Sequence, residues 1–320
     1  MRVDSPIGSA VAEIDQLLTA AAEATELGSL AEAERLAALA HDLAGGFGDG
    51  PDHDRAIGRA LRLLGTASRA RGGYAEAESR FGAAFASATA GFGEGSLEVA
   101  GVLNDLGMTF KYAGRFADAE AAYRRAREIL ESLDDIEPED LAALFHNLGG
   151  LAHARGAFEE AEPLARRAIE IRSATVDPRD PALLLDRSAH AAILDGLGRS
   201  VEAEAIIRGL LPDLEAALGP EHPEVAVALN NLAAIVQRRG DLEEAEVLYR
   251  RVIAIKEARL GGKSPALAGT LNNLGTLLRA SGRPGEARAA FERAFRLLES
   301  AVEESHPTLD VIRRNLARLS

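Results

Sequence analysis

The chain of 320 residues contains no cysteine and no tryptophan, and aromatic residues make up only 4% of it. Without thiols there can be no disulfide staple, no thiolate metal site and no cysteine nucleophile, which agrees with a reducing compartment. Long apolar runs are missing as well. No segment approaches 18 uninterrupted apolar residues, and the opening MRVDSPIGSAVAEIDQ has no apolar stretch of signal-peptide length. A soluble, cytoplasmic protein is therefore expected. Positive charge is scarce relative to negative: Lys and Arg total 36 against 50 Asp and Glu, giving a net charge of -14. Such a surface repels phosphate backbones and anionic lipid, so neither nucleic acid nor membrane is expected as a partner.

Motifs of chemistry are absent too. There is no phosphate-cradling glycine loop, nucleophile elbow or paired histidine-carboxylate motif, so no catalytic residue, no cofactor and no enzyme activity is expected. The seven histidines are scattered. His222 and His306, each preceding a proline at equivalent unit starts, read as helix-start residues and not as metal ligands. The acidic stretch Asp134, Asp135, Glu137, Glu139 and Asp140 lacks the glycine and spacing of a calcium loop.

What is present is a repeat. Gly72, Gly114, Gly156, Gly198, Gly240 and Gly282 follow one another at a constant spacing of 42, and Gly28 precedes Gly72 by 44. Five residues after each stands an alanine: Ala33, Ala77, Ala119, Ala161, Ala203, Ala245 and Ala287. Apolar residues recur at spacings of three and four on both sides of the glycine, as Leu229, Leu232, Ile235 and Val236 do before Gly240 and Leu242, Ala245, Leu248 and Tyr249 do after it. Each half is an amphipathic helix, and the glycine supplies the positive φ at which the first one ends. Asp241 is placed to cap the second helix of its unit. Pro138, Pro181, Pro223, Pro265 and Pro307 open successive units, where a missing N–H does no harm. Such punctuation rules out a continuous coiled coil, although 42 is six heptads.

Seven units result, at about 8–50, 54–95, 96–137, 138–179, 180–221, 222–263 and 264–305, with a closing helix from 306 to 319; GGFGDGPD at 45–52 reads as a connector within a single array spanning the chain. Residues seven before the turn glycine are small (Gly65, Gly107, Gly149, Ala191, Ala233, Gly275), so the two helices of a pair can approach closely. Nine after it stand Phe81, Tyr123, Ala165, Ile207, Tyr249 and Phe291, which read as core.

A small residue before the turn, glycine at the turn, Tyr74, Phe116 or Phe158 two later, alanine five later and a large residue nine later: this pattern resembles the tetratricopeptide repeat. The phrases LGPEHPEVAVALNNLA at 218–233 and SPALAGTLNNLGTLL at 264–278 resemble the longer repeats of kinesin light chains. The resemblance implies an all-α, right-handed superhelical solenoid of antiparallel helix pairs, whose concave side is lined by the first helix of each pair, and a function in holding a protein or peptide.

Ten and nine residues before the turn glycine stand Asn104 and Asp105, His146 and Asn147, Ser188 and Ala189, Asn230 and Asn231, Asn272 and Asn273. Asparagine is a poor mid-helix residue, so its recurrence needs a reason. An amide suits the backbone of an extended peptide, and equally suits a tie between adjacent first helices. In related clamps the second of these places faces the groove, which implies Asn147, Asn231 and Asn273, with Asn315 as a continuation. A basic row, Arg69, Arg71, Lys111, His153, Arg155, Arg238, Arg239 and Arg279 with Gln237, lies just before the turns. It offers a lip for an acidic peptide, with Lys111, Arg238 and Arg279 as candidates, or it simply complements helix C-termini and the acids that follow. The unit at 180–221 departs from the others through Ser188, Ala189, Asp195 and Ser200. The functional expectation is an interaction scaffold; a peptide-gated regulator and an accessory subunit of an enzyme complex are the alternatives.

Overall fold

A computed structural model describes residues 6–26, 29–46 and 50–319. Gly28, which the repeat reading placed at the first turn, lies outside the described residues, as do residues 47–49 of the connector. Among the described residues every regular element is helical, and the chain divides into two compact units, Met1–Tyr112 with Ala117–Asp134 and Ala113–Phe116 with Asp135–Ser320.

The first unit holds three hairpins. They are α1 (Pro6–Glu26) with α2 (Leu30–Ala44), α3 (Pro51–Ala70) with α4 (Tyr74–Phe92), and α5 (Leu97–Tyr112) with α6 (Phe116–Ser132). Helix α3 starts inside the stretch read as a connector, because Pro51 takes the first helical position, where proline is pre-organised. The second unit holds α7 (Pro138–Ala154) with α8 (Phe158–Ser173), α9 (Pro181–Gly196) with α10 (Ser200–Leu218), and α11 (Pro223–Arg239) with α12 (Leu242–Leu260). A 3-10 turn at Pro265–Leu267 then leads into α13 (Ala268–Ala280), which pairs with α14 (Pro284–Glu299), and α15 (Pro307–Ala317) closes the unit.

The turn glycines behave as the sequence pattern requires. All six from Gly72 to Gly282 have φ between +73° and +99°, a region closed to most side chains. Asp241 accepts the amide N–H of Glu244 at 3.2 Å as the cap of α12. His222 and His306 are caps too, each Nδ1 accepting the N–H two residues on, of Glu224 and Thr308.

Close approach within each hairpin rests on the small residue before the turn. A Cβ on Gly65 would lie 2.8 Å from the ring of Phe81, on Gly107 2.5 Å from Tyr123, and on Gly275 2.6 Å from Phe291. All three rings are fully buried, so enlarging these glycines would overpack the hairpin at a cost of about 1 to 3 kcal/mol. In the second unit one apolar core runs from Leu184 and Ala191 through Tyr249 and Phe291 to Ile312. It thins at α7 to α9 into a small cluster of Ala152, Ala161, Ala165 and Ile193.

Candidate functional site

Residues on the inner helices, α7, α9, α11, α13 and α15 in the second unit, separate into two sets once their hydrogen bonds are traced. At Arg62, His146, Asn230 and Asn272 the residue ten before the turn glycine is bonded to the next first helix, whereas Ser188 in the same place is buried with no partner for its hydroxyl among the described residues. In the first unit Arg62 Nε donates to Asp105 Oδ2 at 2.6 Å. In the second, His146 Nδ1 lies 2.7 Å from Asp186 Oδ1, Thr270 Oγ1 donates to Asn230 Oδ1 at 3.2 Å, and Asn315 Nδ2 donates to Asn272 Oδ1 at 2.8 Å. These bonds form a polar ladder between consecutive first helices, and each satisfies a group that the apolar surroundings would otherwise strand.

The residue nine before the turn stands about 100° further round the helix; Asp105 there takes the ladder bond from Arg62, but Asn231 and Asn273 meet different surroundings. Asn231 and Asn273 are half-buried, and no hydrogen bond among the described residues reaches either amide. Asn147 is buried at 7% exposure and Asn104, one place earlier in its own repeat, is half-buried. Asn315 is buried at 7% and belongs to the ladder. Sequence reasoning took Asn230 with Asn231, and Asn272 with Asn273, as one row; the structure brings the first of each pair to a neighbour helix and leaves the second open.

The basic row is largely engaged within the protein. Arg71 holds Glu34 with both terminal nitrogens, at 2.5 and 2.7 Å, and this contact keeps the Glu34 carboxyl below its usual range. Arg239 pairs with Glu204 at 2.5 Å and reaches Asp241 and Glu244. Gln237 accepts the hydroxyl of Tyr249 at 3.0 Å, and Lys111 lies 5.0 Å over the ring of Tyr112. Arg238 pairs with Asp195, whose carboxylate also accepts from Ser200 Oγ at 2.7 Å. Two of the departures in the 180–221 unit, Asp195 and Ser200, are thus partners of each other. Arg279 is half-buried and has no acidic partner among the described residues.

Two inner cations lie behind the ladder, and the motif reading passed over both. Arg172 of α8, 4% exposed, donates Nε to Asp186 Oδ2 at 2.7 Å and pairs through Nη1 with Glu139. Lys256 of α12, half-buried, donates to the carbonyl of Ala266 at 2.9 Å and to Thr270 Oγ1 at 3.2 Å. Burial pushes the Lys256 ammonium down to about 8, with Glu224 opposing the shift. The signal in the sequence is a period of two units: this place reads Leu130, Arg172, Leu214, Lys256 and Leu298, and its partner reads Leu144, Asp186, Ala228, Thr270 and Ile312.

None of the described helices is long and apolar enough to cross a membrane. The hairpins define a helical repeat protein. A family model described as Tetratricopeptide repeat matches residues 56–132, 188–258 and 224–300, and a second of the same description matches 141–182. The chain belongs to the tetratricopeptide repeat family. No curated protein matches it.

Among solved structures it is similar to a Rap protein complexed with competence and sporulation factor, at 16% identity over 96% of this chain and 85% of that one, with a TM-score of 0.68. It is similar also to NprR in complex with its cognate peptide NprX, at 13% identity over 100% and 84% of the two chains, TM-score 0.65. BtubC (BKLC) from P. vanneervenii is 22% identical over 74% of this chain and 94% of that one, TM-score 0.50. At these identities the likeness is one of fold.

Proposed function

We propose that the chain is a protein-interaction scaffold that captures an extended peptide segment along α11 and α13, in an aqueous, cytoplasmic setting. Asn231 and Asn273 bond the segment's backbone and Arg279 takes a carboxylate or carbonyl beside them. One observation carries this reading: in a structure where the neighbouring Asn230 and Asn272 are bonded to adjacent helices, Asn231 and Asn273 keep donor and acceptor unused on a half-exposed face. An amide with both functions matches a peptide backbone whatever its side chains, and each such bond contributes roughly 0.5 to 1.5 kcal/mol.

The net charge of -14 argues against nucleic acid and anionic membrane as the occupant. The experiment is to titrate the full chain with a peptide library and compare wild type with the Asn231→Ala, Asn273→Ala double variant. A drop of about tenfold is expected from two lost bonds. Equal binding by both proteins removes the two amides from the mechanism.

A second reading, a peptide-gated regulator, draws support from the likeness in fold to Rap and NprR, the latter solved with its cognate peptide. It predicts a change in the radius of gyration at saturating peptide, and an unchanged solution-scattering curve would overturn it.

A further inference from the structure

The fourth hairpin is built differently from its neighbours in one respect. Where the others place Phe81, Tyr123, Ile207, Tyr249 or Phe291, all at most 1% exposed, α8 places Ala165. Gly149 is nevertheless kept on the facing helix, the residue type that elsewhere makes room for a ring. A Cβ on Gly149 would meet the Ala165 backbone nitrogen at 3.3 Å, where one on Gly65, Gly107 or Gly275 would meet an aromatic ring.

The far side of Ala165, toward α9, stays open as a small cleft. Its walls are Gly150, Ala165, Ala168, Ala189 and Ile193, and His146 with Asp186 forms one end. Ala189 occupies the place that Asn231 and Asn273 hold in later repeats, so no amide fills the mouth. The enclosed part has room for one water-sized group, and with polar atoms at a single end it offers a water too few partners to hold it well. A methyl-sized group fits such a chamber better.

At the polar end the imidazole is held fast. Asp186, 2% exposed, takes His146 Nδ1 on one oxygen and Arg172 Nε on the other, each at 2.7 Å. In the neutral tautomer that donates Nδ1–H to Asp186, Nε2 is an acceptor, and it has no partner among the described residues.

We propose that the cleft between α7, α8 and α9 is a specificity pocket for one small aliphatic side chain, alanine to valine in size, of the captured segment. His146 Nε2 accepts the backbone N–H of that same residue. The proposal rests on the peptide-capture reading above and adds to it a residue preference.

The test has two arms, both on the full chain. In the first, a positional-scanning library of N-acetylated, C-amidated dodecapeptides is bound to wild type, to Ala189→Leu and to Ala189→Asn, the last being the repeat's own residue. Wild type is expected to favour alanine and valine over leucine and phenylalanine at one position, by about tenfold, the scale of burying a small side chain. Both variants are expected to lose that preference and keep the others. The same side-chain profile in all three proteins would overturn the pocket while leaving peptide capture standing; no binding by any of them would overturn both. In the second arm, thermal melting of Ala189→Leu is expected at or above the wild-type temperature, because the leucine fills an apolar void. A lower temperature would show that the cleft cannot take an aliphatic side chain, and would overturn the pocket by itself.

Discussion

Arg172 and Lys256 occupy the same place in hairpins two units apart, behind the same rung of the ladder, and their surroundings treat the charge in opposite ways. Arg172 faces a carboxylate: Asp186 is as buried as the guanidinium, and the pair satisfies itself with Glu139 and His146 at its edges. Lys256 faces a hydroxyl and a carbonyl, which solvate an ammonium without neutralising it. Glu224 lies close enough to raise its proton affinity but does not offset the burial. One geometry therefore accommodates both an ion pair and a lone cation, and in only one of them does removing the cation relieve the fold.

The largest effect should come from breaking the first of these. Arg172→Leu, which writes in the residue found at 130, 214 and 298, leaves the Asp186 carboxylate buried without a counter-charge and should cost about 3 to 5 kcal/mol in urea denaturation. Adding Asp186→Ala, the residue of the equivalent place at 228, should restore most of that loss. A double variant as unstable as the single would mean that the pair contributes through packing and not through charge.

Lys256→Leu should do the reverse. Below about pH 8 the folded and unfolded chains both carry the proton, and the folded one bears the burial penalty. Between about 8 and the ordinary lysine value of 10.5 the unfolded chain keeps a proton that the folded chain releases, so stability gains with rising pH. The variant removes both the penalty and the gain. It should be more stable than wild type by about 1 to 2 kcal/mol at pH 7, less than the full shift implies because the half-buried side chain is partly screened. The difference between the two proteins should shrink as pH passes from 8 to 10. Thr270→Asp sharpens the contrast, since a carboxylate in that place copies the Arg172 arrangement and should raise the Lys256 ammonium back toward its ordinary value. A difference that stays flat across this pH range would mean that Lys256 is well solvated.

Most of the fold was legible in the sequence because its signals are local and repeated. A turn glycine at positive φ, a proline at the first helical position and an alanine or glycine where two helices touch each have one physical reason, and each recurs in step with the unit. The candidate site was legible only in outline. Asn230 and Asn231 are neighbours in sequence, and nothing in composition says which one the rotation of the helix brings against α13. The inner cations were harder still, because Arg172 and Lys256 interrupt a row of leucines in alternate repeats and become a pattern only over two units. The partners Asp186 and Thr270 lie on a different helix from the cations and carry the same double period.

The smallest expected difference tests that division of the amides. Asn272→Ala leaves the Asn315 amide, 7% exposed, without its acceptor and should cost about 1 kcal/mol. Asn231→Ala and Asn273→Ala each remove a group with no internal partner, and alanine is the better helix former, so their stability should stay within about 0.5 kcal/mol of wild type or rise slightly. Chemical denaturation of the three single variants decides it. If Asn231→Ala falls as far as Asn272→Ala, its amide is a rung of the ladder like its neighbour's, and the face offered to a peptide loses the groups that define it.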